Sequence, residues 1–323
     1  MSEMGSFIEL EYPKGKEYYK DTNVVRLNSG RTAIYHAIKA YGCTKVYLPY
    51  YQCETVKLFL EKKGIEIKHY NIDSNFIPQL APNDDDTAVV IVNYYGIFSS
   101  TYMTDICKKY RNVIIDNSQA FYAKPLNDCL NVYSARKFFG VPDGAYVVGT
   151  PYMFEKNMYS DDYSSDTSLF LLQRIEYGCE GKAYSSRMLN EERIDAADIM
   201  NMSKLTRRLL DGIAYDDVKE KRTENFNLAH SILQEHNMLD VMKFYDYSCV
   251  PMVYPFMTEK DGLLEHLISH KHFQGNWWRY LLDIVEKETI EYKLSKYMIP
   301  ITIDQRYGND NITRLCNIIT EFM

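Results

Sequence analysis

Between residues 24 and 150, short apolar runs alternate with stretches whose apolar residues recur at helical spacing. VVRL (Val24 to Leu27) predicts a strand, and RTAIYHAIKAYG (Arg31 to Gly42) a helix that a glycine closes. KVYLP predicts the next strand, CETVKLFLEKKG (Cys53 to Gly64) a second glycine-stopped helix, and IEIKHYNI another strand. Past a polar loop around APNDDD, TAVVIVNYYG (Thr87 to Gly96) predicts a buried strand. TDICKKYR (Thr104 to Arg111) predicts a helix and NVIID (Asn112 to Asp116) a strand. Strands alternating with helices of this length form a mostly parallel sheet covered on both faces. Ligands of such sheets bind at the carboxyl ends of the strands. Asp116 and the turn Asn28-Ser29-Gly30 both stand at such ends.

The pattern then changes. LNVYSAR (Leu130 to Arg136) and AYVVG (Ala145 to Gly149) predict short strands around a loop. The polar stretch YSDDYSSDTS (Tyr159 to Ser168) predicts an exposed loop or lid. Helical spacing runs from about 166 to 179 and, with interruptions, from 191 to 236. From about 240 the elements are mixed: VPMVYPFM as a strand, LLEHLISHKH as a helix, YMIPITI as a strand and DNITRLCNIITEFM as a closing helix. The expected architecture is α/β: a large domain over 1–212 with an N-terminal arm, and a smaller α+β domain over 213–323.

Composition narrows the function classes. The formal charge is -7 and no basic stripe stands out, which argues against a nucleic-acid partner. No apolar run reaches the ~20 residues of a membrane span, and the N-terminus lacks the basic-then-apolar build of a signal peptide. The seven cysteines are scattered with no C-x-x-C, so zinc-ribbon and thioredoxin readings are unsupported and a reducing cytoplasm is expected. His266 and His270 stand at i, i+4, but there is no H-E-x-x-H and no evident third ligand, so no metal is expected. Asp84-Asp85-Asp86 lacks the spaced ligands of a calcium loop. Trp277-Trp278 either lines a pocket or fills the small-domain core, and core is favoured.

Two segments carry candidate chemistry. IIDNSQAFY (Ile114 to Tyr122) puts Asp116 just past an apolar run, with Gln119 three residues on. YSARKFFGVPDGAYVVG (Tyr133 to Gly149) puts Ser134 and Lys137 between a strand and a glycine-containing loop. An acid at a strand end with a lysine nearby is what pyridoxal phosphate (PLP) requires. The amine forms a Schiff base with the aldehyde, and the carboxylate keeps the pyridine nitrogen protonated. At Ser29, Gly30, Arg31 and Thr32 a helix begins. Its free amides are either a phosphate cradle or an ordinary capped terminus. Arg136, Arg174 and Arg306 are candidate anion clamps, each with a structural ion pair as the alternative.

These residues carry a resemblance. The chain resembles the DegT/DnrJ/EryC1/StrS group of fold-type I PLP-dependent sugar aminotransferases. NSGRTAIYHAI is similar to that family's phosphate-cradling turn, KVYLPYYQCETV to its next strand and turn, and VNYYG to its H-x-Y-G segment. IIDNSQA resembles the E-D-x-x-Q motif through Asp116 and Gln119, and SARKFFGVPDGAYV the lysine loop through Lys137. MNMSKL (Met200 to Leu205) and PITIDQRY (Pro300 to Tyr307) resemble a helix start and a small-domain strand end. Where the family places an aromatic ring over the pyridine, this chain has Cys53. Tyr51 or the thiol itself would make that contact.

The resemblance implies a fold-type I PLP enzyme whose Lys137 carries the cofactor and moves a proton. Asp116 would steady the ring nitrogen, and Gln119 the ring oxygen or face. Gly30, Arg31, Thr32 and Ser134 would hold the phosphate. Glutamate or glutamine would donate the amino group to a keto-sugar, nucleotide-linked, at a site shared by a homodimer. Related enzymes that dehydrate the sugar have histidine in place of the lysine, and Lys137 argues against that chemistry. The alternative is a PLP-fold protein that has lost catalysis and acts as a regulator or binding partner.

Overall fold

The computed structural model describes residues 5–20, 23–149 and 158–323. The larger sheet has seven strands: β1 (Val24–Leu27), β2 (Lys45–Pro49), β3 (Glu66–Tyr70), β4 (Thr87–Val92), β5 (Val113–Asn117), β6 (Leu130–Ser134) and β7 (Ala145–Val148). They lie in the order β1-β7-β6-β5-β4-β2-β3. β7 runs antiparallel to both neighbours, and every other pairing is parallel. β4, β5 and β6 are buried along their whole length. Continuous apolar strands of this kind belong in a parallel sheet with both faces covered.

The helices between them are α1 (Gly30–Ala40), α2 (Glu54–Lys62) and α3 (Ser100–Cys107). Thr32, Ala33, Ile34, Ala37 and Ile38 form the buried stripe that seats α1 on the sheet. α3 starts four residues before the expected Thr104, because the Ser99 side chain accepts from the Tyr102 amide at 3.2 Å and caps it there.

Four further helices follow: α4 (Leu169–Tyr177), α5 (Lys182–Ala196), α6 (Lys204–Asp211) and α7 (Tyr215–Leu233). The helical run expected over 191–236 is therefore broken twice. Residues 198–202 are extended and stitched to the end of β1: the Asn28 amide donates to the Met200 carbonyl (3.0 Å) and the Met202 amide to the Arg26 carbonyl (3.1 Å). α6 then starts at the Ser203 cap, whose hydroxyl accepts from the Thr206 amide. The stretch 159–168 is a largely exposed loop, as expected, pinned at two points. Asp162 and Ser164 are buried, Asp162 in an ion pair with Arg193 on α5 (2.7 Å).

The expected boundary at 212/213 falls in the turn between α6 and α7. The last elements are β8 (Val253–Met257), α8 (Leu263–Ser269), α9 (Ile290–Tyr297), β9 (Met298–Thr302) and α10 (Asn309–Phe322). β8 and β9 make an antiparallel pair; α7 packs against β8, and α10 packs on α7. No described helix is long and apolar enough to cross a membrane.

Candidate active site

A cavity of about 260 Å³ opens at the carboxyl ends of the strands. Asp116, at the end of β5, forms part of its wall and is 5% exposed. Gln52 donates from Nε2 to Asp116 Oδ2 (3.0 Å), and the Ser118 amide donates to Oδ1 (3.0 Å). Two donors thus fix the carboxylate while it stays in the cavity wall, an arrangement that holds a negative charge ready for a cationic partner.

Ser29, Gly30 and Arg31 line another side, where α1 begins. A Cβ on Gly30 would stand 3.2 Å from the Ser118 hydroxyl, so glycine keeps the wall open there. Thr32 does not reach the cavity. Its hydroxyl donates to Asn28 Oδ1 (2.8 Å) and lies 3.2 Å from the Ser29 amide, closing the helix cap behind the wall.

Ser134, Arg136 and Lys137 complete the wall from the end of β6. In the single chain water reaches Lys137, yet surrounding protein lowers its ammonium pKa. Desolvation leads, Arg136 and Arg187 act the same way, and Cys53 and Glu191 oppose them. Water in the open cavity weakens this lowering, and a ligand that displaces the water strengthens it.

α5 supplies two carboxylates that sequence reasoning missed. Glu191 pairs with Arg136 and Asp195 with Arg31, each at 2.5 Å. Against a burial that pushes it up, Arg136 and Arg187 hold Glu191 below the ordinary carboxylate value. Their i, i+4 spacing on a helix was a signal, but nothing in the sequence tied that helix to the cavity.

The structure brings together Gly30, Arg31, Cys53, Asp116, Gln119, Ser134 and Lys137. It does not bring Tyr51 with them. That ring is fully enclosed, and its hydroxyl lies 2.7 Å from the Tyr95 hydroxyl. Trp277 and Trp278, expected in the core, pack against it and also line the cavity. Gln119 is 6% exposed, and its Oε1 accepts from the Tyr95 amide (2.7 Å). Of the candidate arginines, Arg306 is held by Asp304 (2.7 Å) and does not line the cavity, nor does Arg174.

No protein-family model matches the chain, and no curated protein matches it. Solved structures do. S. venezuelae DesV, solved in complex with a ketimine intermediate, matches over 93% of this chain and 84% of its own, at 15% identity and a TM-score of 0.61. A DegT DnrJ EryC1 StrS aminotransferase from Brucella abortus matches over 93% and 85%, at 13% identity and a TM-score of 0.61.

The chain has the fold of these aminotransferases. E. coli GDP-4-keto-6-deoxy-D-mannose-3-dehydratase, solved with hydrated PLP, shares it over 96% of this chain and 99% of its own, at 15% identity and a TM-score of 0.59. One fold thus serves both reaction types among the similar structures, so the side chains of the cavity have to carry the functional argument.

Proposed function

We propose that this protein is a PLP-dependent aminotransferase that moves an amino group from glutamate or glutamine to a nucleotide-linked keto-sugar. The observation that carries the reading is that Asp116, Lys137 and the N-terminus of α1 share one cavity. The cofactor fits the donor set: a buried carboxylate held by two donors, an amine on another wall, and a glycine-opened helix terminus. When bound, PLP supplies an electron sink for negative charge developing on a carbon next to nitrogen.

Each residue has a role in this reading. Asp116 holds the proton on the pyridine nitrogen. The amides of Gly30 and Arg31, with the Ser134 hydroxyl, hold the phosphate, where the helix dipole favours an anion. Lys137 would hold the aldehyde, and its Nζ, when free, would be the base that carries the proton away from the α-carbon of the amino donor. Its lowered pKa leaves a larger fraction of the amine unprotonated at neutral pH, as a base requires.

The reading includes a homodimer. Leu172, Ile175 and Leu189 on α4 and α5 are 58%, 81% and 59% exposed, an apolar surface that a second copy would cover. A cytoplasmic setting accords with seven unpaired cysteines.

The test is spectroscopic. Protein mixed with PLP gains visible absorbance from the lysine-bound cofactor, and glutamate then bleaches it as the amino group is transferred. Lys137→Ala abolishes the first signal. A spectrum unchanged by that substitution would refute the role of the lysine. Absorbance that no amino donor bleaches would favour a non-catalytic PLP-fold protein.

A further inference from the structure

We propose that Trp277 and Trp278, carried to the cavity from the small domain, form the aromatic face against which the cofactor ring lies. The inference rests on the aminotransferase reading above. Among the described residues, these two are the aromatic side chains in the cavity wall, while Cys53 lines it with a thiol. The cavity, at about 260 Å³, is small beside ordinary ligand pockets of roughly 300–1,000 Å³. A planar ring held between Asp116 and Lys137 would share this small space with the two indoles.

The wall is built to stay in place. Trp277 stacks on Tyr95, with centroids 5.6 Å apart and planes 26° apart. Trp278 meets Tyr51 edge-on at 4.5 Å. The Tyr51 and Tyr95 hydroxyls lie 2.7 Å apart, and the two indoles are 5.8 Å apart. Four rings thus form a closed circuit with its two tryptophans on the cavity side. This gives the enclosed Tyr51 a job: it supports an aromatic face without forming one.

Backbone strain falls in the same circuit. Tyr95 (φ 59°) and Trp278 (φ 55°) both occupy the left-handed region, which is costly for bulky residues. Such strain persists where surrounding structure imposes it, and it concentrates at functional sites. At Trp278 it has a visible use. Consecutive side chains of an extended segment point to opposite faces, and the left-handed turn lets both indoles line one cavity. Two hydrogen bonds link the segment that carries the tryptophans to the acid. Tyr280 donates to the Gln52 carbonyl (2.6 Å), and the Gln52 side chain donates to Asp116 (3.0 Å).

The chain contains two tryptophans, so all indole emission reports on this wall. Acrylamide quenching is measured on the full-length protein with and without PLP, alongside the lysine-bound absorbance. The expected result is a severalfold fall in the quenching constant as the absorbance appears. Affinity for PLP should drop by about 2- to 12-fold in Trp277→Leu or Trp278→Leu and stay within about twofold in the phenylalanine variants, as loss and retention of an aromatic contact predict. Absorbance that appears with no change in quenching overturns the inference and leaves the aminotransferase reading standing. Equal affinities for the leucine and phenylalanine variants overturn it too. Absence of both signals refutes the aminotransferase reading and the inference with it.

Discussion

Gln305, just past β9, donates a 2.8 Å hydrogen bond to the carbonyl of Phe138, the residue that follows Lys137. Arg222 completes the grip. Its guanidinium lies 4.5 Å from the Phe138 ring, donates from Nε to Gln305 Oε1 (2.9 Å) and reaches the Met252 carbonyl (2.9 Å). Burial pushes Arg222 down to about 10, against the opposing charge of Asp304, so it remains a cation at neutral pH. The loop that carries the amine is therefore held from α7 and the segment after β9.

Removing Gln305 tests that grip. Gln305→Ala strips a partner from the Phe138 carbonyl and from Arg222 Nε. An unsatisfied group of this kind costs about 1–3 kcal/mol. The expected outcome is a loss of that size in urea unfolding, with faster release of PLP from the loaded protein. A fall in stability with unchanged release would separate the packing role from the positioning of Lys137.

Gln52 offers a sharper electrostatic test. Gln52→Glu replaces a donor by a second carboxylate beside Asp116, and two carboxylates sharing a site push one pKa strongly up. Affinity for PLP, measured by its lysine-bound absorbance, is expected to fall by about tenfold near pH 8, equivalent to about 1.4 kcal/mol. It should recover as pH drops, because the pair then holds one proton and presents the wild-type charge. Gln52→Leu keeps no such pH dependence, and its loss should be smaller.

Asp195 competes with a bound anion. It pairs with Arg31 at the start of α1, and its own side chain is 54% exposed. Asp195→Asn frees the guanidinium for phosphate, so binding of inorganic phosphate or PLP should strengthen. Exposed pairs are worth about 0.2–1 kcal/mol, which sets the gain at up to about fivefold. Titration at low and high salt checks it, since the gain should shrink as salt rises.

These residues divide by how the sequence encodes them. Asp116, Lys137, Ser134 and the turn at Gly30 were legible because each sits at the end of a short apolar strand, where chain order alone fixes the strand's end. The parallel sheet was legible from the apolar runs in β4, β5 and β6, which are buried along their whole length. Glu191, Asp195 and the tryptophans were not, because they reach the cavity through long-range packing of α5 and of the loop after α8. The interruptions expected within 191–236 were legible as such, but not their cause: one of them, at Met200 to Met202, arises because the backbone bonds to β1. Tyr51 was misread because proximity in sequence to Cys53 said nothing of which way its ring turned.

His36 makes the fold itself pH-sensitive, through the helix that opens the cavity. It is buried on α1, with Nδ1 2.8 Å from the Tyr159 hydroxyl. Burial lowers its pKa from 6.5 to about 4. The unfolded chain therefore binds a proton between those values that the folded chain refuses. Stability from this source is unaffected above pH 6.5, falls as pH drops towards 4, and levels off below. At about 1.36 kcal/mol per unit the full loss is roughly 3 kcal/mol. Other groups also titrate in this window, so the contribution of the imidazole is the difference between wild type and His36→Gln. Denaturant unfolding at pH 7 and pH 4.5 should show wild type losing more stability than the variant. Parallel losses in the two proteins would mean that the imidazole takes up its proton in the folded state.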